Sequence, residues 1–179
     1  MKGIVFTEFL EMVEQKFGLA LADQIIQESH LPSGGVYTSI GTYDHAEIVE
    51  LLTHLSQNTA TDASVLLKEF GRYLFDTFLD KFPGFFTSCA DGFEFLESIE
   101  NHIHVEVLKL YPDADLPRFD AERDGNSLKM IYQSSRKMSD LAWGLMERTM
   151  DYYGHTASIQ KESMGEDGEK VLFTISVVP

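Results

Sequence analysis

The hydrophobic period of this chain changes once, near Pro112, and that change sets what it can fold into. Before it, apolar residues recur at helical spacing; after it, they alternate. Phe6, Phe9, Leu10, Val13 and Phe17 form one stripe ahead of Gly18, and a second, short helix over 21–29 ends before the loop-like "LPSGG". "DHAE" at 44–47 reads as a capping box that opens a helix with Ile48, Leu52 and Leu55 inward. Thr61 or Asp62 caps the next, which carries Leu66, Phe70, Tyr73, Leu74 and Phe78 on one side and stops before Pro83. The last of this series runs from about 92 to 111, where Pro112 ends it.

Beyond the switch, Asp124-Gly125 marks a hairpin between two strand-like segments. A helix over 139–153 closes at Gly154. In "VLFTISVV", Val171, Phe173, Ile175 and Val177 alternate with Leu172, Thr174, Ser176 and Val178, and "HTASIQK" before the glycine-rich turn at 165–168 completes a second hairpin. The expected class is α+β: a helical part over about 1–112, then a sheet-containing part over about 113–179. The latter would hold about four antiparallel strands and one crossing helix. With 179 residues and no linker or repeat, the chain reads as one domain.

Several function classes are disfavoured at once. A formal net charge of −15 opposes phosphate backbones, so nucleic acid is not an expected partner, whereas a basic protein surface would be attracted. No apolar run approaches the length of a membrane span, and acidic residues from position 8 onward do not suit a signal peptide, so a cytoplasmic location is expected. The single cysteine, Cys89, rules out an internal disulfide framework and a multi-cysteine zinc site. Thirteen phenylalanines point instead to a large apolar interior or cavity.

Two polar features stand out against that background. In "YQSSR", Tyr132, Ser134 and Arg136 recur at every second position; an extended backbone would put a phenol, a hydroxyl and a guanidinium on one face, a clamp for carboxylate or phosphate oxygens. Alone, the trio reads better as a core tyrosine beside two solvated residues. In "NHIHVEVLKLYPDADLP", His102 and His104 lie two apart on a helix, about 200° of rotation, and cannot share one metal ion. His104, with Phe93, Val107, Leu108 and Tyr111 on its side, is the more buried of the two. A lone buried histidine is commonly structural, but it suffices as a ligand when a cofactor brings the others. Haem does so, and adds two carboxylates for a clamp to hold.

His104, Pro117 thirteen residues later, and then the Tyr132, Ser134, Arg136 motif together resemble the H-NOX domains. These are haem-based nitric oxide or dioxygen sensors related to the haem domain of soluble guanylate cyclase. "MKGI" and "FGRYLFDTF" at 70–78 are similar to family segments, and the resemblance covers essentially the whole chain. It implies haem b (iron protoporphyrin IX) buried between the two parts, with His104 on the iron. Tyr132, Ser134 and Arg136 would hold the propionates, and Pro117 would pack against and bend the porphyrin.

In dioxygen-binding members a distal tyrosine lies five residues beyond the motif arginine; here that residue is Leu141. The other distal positions match Phe9 and Leu74, and Val5, Phe78 and Leu145 complete the expected wall. A dry wall selects nitric oxide (with carbon monoxide binding in vitro) over dioxygen, whose bound form needs a donor worth roughly 1–3 kcal/mol. The resemblance implies signalling by weakening of the iron–histidine bond, read by a separate histidine kinase or cyclic-di-GMP enzyme in a bacterium. No zinc is expected, although some bacterial relatives carry a cysteine-rich site. The competing classes are a haem enzyme of peroxide or oxygen chemistry, which needs a distal acid–base group, and a haem-free acidic interaction module.

Overall fold

A computed structural model of the chain describes residues 1–177; Val178, assigned above to the last strand, lies outside them. Helices α1 (Gly3–Phe17), α2 (Leu19–Glu28), α3 (His45–Thr59) and α4 (Ala63–Lys81) come first. A short α5 (Pro83–Thr87) and α6 (Gly92–Ser98) follow, and a π-helical turn (Ile99–Ile103) leads into α7 (His104–Leu110). The second part holds β1 (Arg118–Asp124), β2 (Ser127–Gln133), α8 (Ser139–Tyr152), β3 (Ala157–Ser163) and β4 (Lys170–Val177). The four strands form one antiparallel sheet in the order β1-β2-β4-β3, so the fold is α+β as the hydrophobic period predicts.

Two apolar cores result. One joins α1 to α4 around Phe6, Phe9, Leu51, Leu55 and Phe70; the other packs the sheet residues Leu128, Met130, Phe173 and Ile175 against Phe95, Met146 and Met150. Each fully buried phenylalanine contributes about 2–3 kcal/mol of transfer free energy. The cores are tied together where α4 crosses α8. There a Cβ on Gly71 would come within 2.2 Å of the Leu141 carbonyl oxygen, and one on Gly144 within 1.9 Å of the Lys68 carbonyl oxygen. Only hydrogen fits at either position, and the two backbones meet directly. Around the crossing, Lys68 and Arg72 pair with Glu147 at 2.8 Å each, and Arg72 also reaches Asp151 at 2.9 Å.

The loop between α2 and α3 folds back over the start of α1. The Gly3 and Ile4 N–H groups donate to the Gly41 and Ser39 carbonyls at 2.8 and 2.9 Å, satisfying two donors that a helix start leaves free. The Thr38 carbonyl lies 1.9 Å from where a Gly3 Cβ would stand, which gives the glycine of "MKGI" a steric reason.

Local details depart from the sequence expectations. Asp44 caps α3 through the Ala46 N–H, but Glu47 does not close a box: it is buried, accepting from Ser33 and, at 2.9 Å, from the Tyr37 hydroxyl. Burial is the main cause pushing the Tyr37 phenol up to about 12. Phe17, at the end of the α1 stripe, is exposed. The segment 92–111 is not one regular helix, because the His104 N–H reaches back five residues to the Ile99 carbonyl.

The crossing yields a stability test. Gly144→Ala should destabilise the protein by about 3 kcal/mol through overpacking against backbone that cannot move aside. Gly84→Ala, where nothing lies within 4 Å of the added carbon, should change the thermal midpoint little.

Candidate functional site

The two cores meet around an apolar cavity of about 310 Å³. Among its lining residues are Val5 from α1, Leu74, Phe75 and Phe78 from α4, and Leu141 and Leu145 from α8. Ile103, His104 and Val107 come from the π turn and α7, and Leu116 and Pro117 from the loop that follows. Tyr132, Ser134 and Arg136 supply polar atoms, with Lys2 and Asp115 nearby on the same lining. Ten of the eleven site residues expected from sequence therefore face one space. Phe9 does not line it. It is wholly buried one layer back, edge-on to Phe70 with ring centroids 5.2 Å apart, because its turn of α1 faces the helical core.

His104 begins α7, and its side chain is 14% exposed. Burial lowers its pKa below the usual imidazole value, against the nearby Glu100 carboxylate, which acts the other way. The neutral ring this favours is the form that binds a metal. Its Nδ1 lies 3.3 Å from Glu100 Oε2, and among the described residues no protein group engages Nε2. His102 lies elsewhere, exposed and edge-on to Phe85 at 5.9 Å.

The "YQSSR" segment is extended only at its start. β2 ends at Gln133, the Ser134 N–H donates to the Glu169 carbonyl at 2.9 Å, and Ser134–Lys137 then forms a turn. The Arg136 N–H donates to Ser134 Oγ at 3.3 Å, and Lys137 adopts φ +56°. A turn rather than a same-face strand thus brings the three side chains to the cavity. Tyr132 is buried, its hydroxyl accepting from the Met138 N–H at 3.1 Å, and burial is the main cause raising its pKa. Arg136 is 10% exposed and pairs with Asp115 at 2.6 Å, using part of a five-donor fork.

Residues fitting a prosthetic group with its own metal ligands are thus in place. Among the described residues no group of three or more His, Cys, Asp or Glu side chains could hold a bare ion, so a metal at His104 would have to bring its other ligands with it. The wall from Val5, Leu74, Phe78, Leu141 and Leu145 is hydrocarbon. Sequence reasoning missed Lys2 and Asp115, and it put Glu100 on the His104 side of the helix without giving it a role. Lys2 Nζ donates to Thr42 Oγ1 at 2.9 Å and lies 3.3 Å from Asp113, tying the start of α1 to the loop before Pro117. Among the described residues no helix is long and apolar enough to cross a membrane.

A family model described as haem-NO-binding matches residues 2–161. The structure superposes on the Fe(II) unliganded H-NOX protein from K. algicida with a TM-score of 0.96 and 49% identity, covering 100% of this chain and 97% of that one. The IWP-051-bound H-NOX from Shewanella woodyi in the Fe(II)CO state gives a TM-score of 0.84 at 35% identity, covering 100% and 95%. An H-NOX protein from S. oneidensis in the Fe(II)NO state shares the fold at a TM-score of 0.91 and 23% identity, covering 100% of each chain. No curated protein matches. With its cavity, its lone imidazole and a family match over most of its length, the chain belongs to the H-NOX family of haem-based gas sensors.

Proposed function

We propose that residues 1–179 act as one sensor domain for nitric oxide, built on haem b and excluding dioxygen. The observation that carries this reading is one cavity combining a largely buried imidazole, its Nε2 unengaged among the described residues, with a hydrocarbon wall. The family description and the carbon monoxide state of the S. woodyi relative support diatomic gas as the ligand class. Haem, when bound, would supply an iron that an imidazole can hold and that takes up a diatomic gas.

His104 Nε2 would hold the iron on one face. Tyr132, Ser134 and Arg136 would take the propionates, Arg136 through charge-assisted bonds. Pro117, next to Leu116 on the cavity lining, would press its ring on the macrocycle. Val5, Leu74, Phe78, Leu141 and Leu145 keep water and donors from the gas side. Such a wall would offer dioxygen none of the hydrogen bonding it needs, whereas the less polar nitric oxide would need little. This wall also lacks an acid–base group for O–O cleavage, so we assign sensing rather than catalysis.

Signal output would rest on the position of His104 at the first turn of α7. If His104 holds the iron, a weaker hold on it would leave α7 and the loop of Pro117 free to move, a two-state element that a partner could read. A separate bacterial histidine kinase or cyclic-di-GMP enzyme in the cytoplasm is the proposed reader, and the acidic net charge of −15 suits a basic docking surface.

Absorption spectra of the ferrous protein provide the test. Nitric oxide and carbon monoxide should each shift the Soret band, and air should give no stable dioxygen spectrum. His104→Gly should remove the native five-coordinate spectrum until imidazole is added. A stable dioxygen complex, or a His104→Gly spectrum like the native one, would overturn the reading. Arg136→Ala should weaken haem retention about 10- to 100-fold, the worth of a charge-assisted hydrogen bond, with little change in far-ultraviolet circular dichroism.

A further inference from the structure

Glu100 accounts for more of the site than helix surface. It lies in the π-helical turn, and its Oε2 atom meets two groups: His104 Nδ1 at 3.3 Å and the Phe119 N–H, which donates at 3.1 Å. The second partner is two residues beyond Pro117, near the start of β1. One carboxylate oxygen therefore joins the ring of His104 to the strand that follows the Pro117 loop. The Phe119 ring completes the junction, 5.9 Å from the His104 ring and 5.7 Å from the Tyr132 ring, centroid to centroid.

We infer that Glu100 is the positioning residue of His104: it fixes the imidazole with Nδ1 protonated and Nε2 facing the cavity, and sets how readily the histidine releases iron. The inference rests on His104 being the iron ligand. A carboxylate accepting from Nδ1–H locks the tautomer and ring orientation and makes Nε2 a stronger donor to a metal. The π turn contributes by its hydrogen bonding. The Ile99 carbonyl is taken by the His104 N–H five residues on, so the backbone joins the two ends of the turn that carries Glu100. Because Phe119 N–H holds the same oxygen, the carboxylate is anchored on the sheet side. An imidazole that leaves the iron keeps this partner.

The purely structural alternative is that Glu100 serves only Phe119, whose N–H needs an acceptor at the strand start. The two roles separate by spectroscopy. In Glu100→Gln the amide oxygen can still accept from both donors, but the negative charge is gone; Glu100→Ala removes the acceptor as well. Glu97→Gln, next to Arg123 on α6, is the control.

Resonance Raman spectra of the haem-loaded, gas-free ferrous proteins should show the iron–histidine stretching band at lower frequency in Glu100→Gln, lower again in Glu100→Ala, and unmoved in Glu97→Gln. With nitric oxide present, the ratio of histidine-released to histidine-bound protein should rise roughly 10-fold in Glu100→Gln, the lower end of what losing an outer partner of a metal ligand does. A native-frequency band in Glu100→Gln would overturn the inference and leave Glu100 with the Phe119 role alone. If Glu100→Ala loses haem, the shape-preserving glutamine variant decides. Absence of any iron–histidine band in the native protein would count against His104 as ligand, a separate failure.

Discussion

The contact on which the rest of the molecule depends is the crossing of α4 and α8 at Gly71 and Gly144. A side chain at either position would strike the opposing backbone, so the helices approach until main chain meets main chain. That closeness joins the helical core to the core under the sheet. It also brings Leu74 and Phe78 of α4 beside Leu141 and Leu145 of α8 on one cavity wall. The ion pairs of Lys68 and Arg72 with Glu147 and Asp151 are partly exposed, so they orient the crossing more than they stabilise it.

The cavity is apolar because two cores end there, and its few polar groups are therefore informative. Burial lowers the pKa of His104, and a carboxylate meets its ring from outside. Arg136 is largely covered yet its partner, Asp115, is 76% exposed, so the pair sits at the mouth rather than in the interior. The start of α1 is fastened there too, through Lys2 to Thr42 and Asp113. The mouth thus gathers groups from α1, from the loop before Pro117 and from the turn after β2. Lys2 is the side chain that links the start of α1 to Asp113 of the Pro117 loop.

Much of this was legible beforehand because the hydrophobic period is a local property. The stripe of α4, the alternation of β2 and β4, and the stops before Pro83 and Pro112 follow from backbone geometry and side-chain chemistry at neighbouring positions. The convergence of His104, Pro117, Tyr132, Ser134 and Arg136 was implied by the resemblance to the H-NOX domains, and they do line one space. The route of that convergence was not readable. An extended "YQSSR" would have presented three side chains in a row, whereas Ser134 Oγ accepts from the Arg136 N–H and curls the segment into a turn.

What the residues alone determined is the α+β order and the apolar character of Leu141 and its neighbours, because these rest on composition and short spacing; the choice of His104 over His102 leaned on its family spacing to Pro117. Tertiary structure decided the rest. It put Phe9 against Phe70 instead of in the cavity, since the facing of a buried helix depends on its neighbours. It opened α6 and α7 into a π turn and buried Glu47 with Tyr37. It paired Arg136 with Asp115 and set Glu100 between His104 and Phe119. Glu100 and His104 are local, four residues apart, but Arg136–Asp115 and Glu100–Phe119 join residues whose pairing depends on how separate elements meet, and no local pattern encodes that meeting.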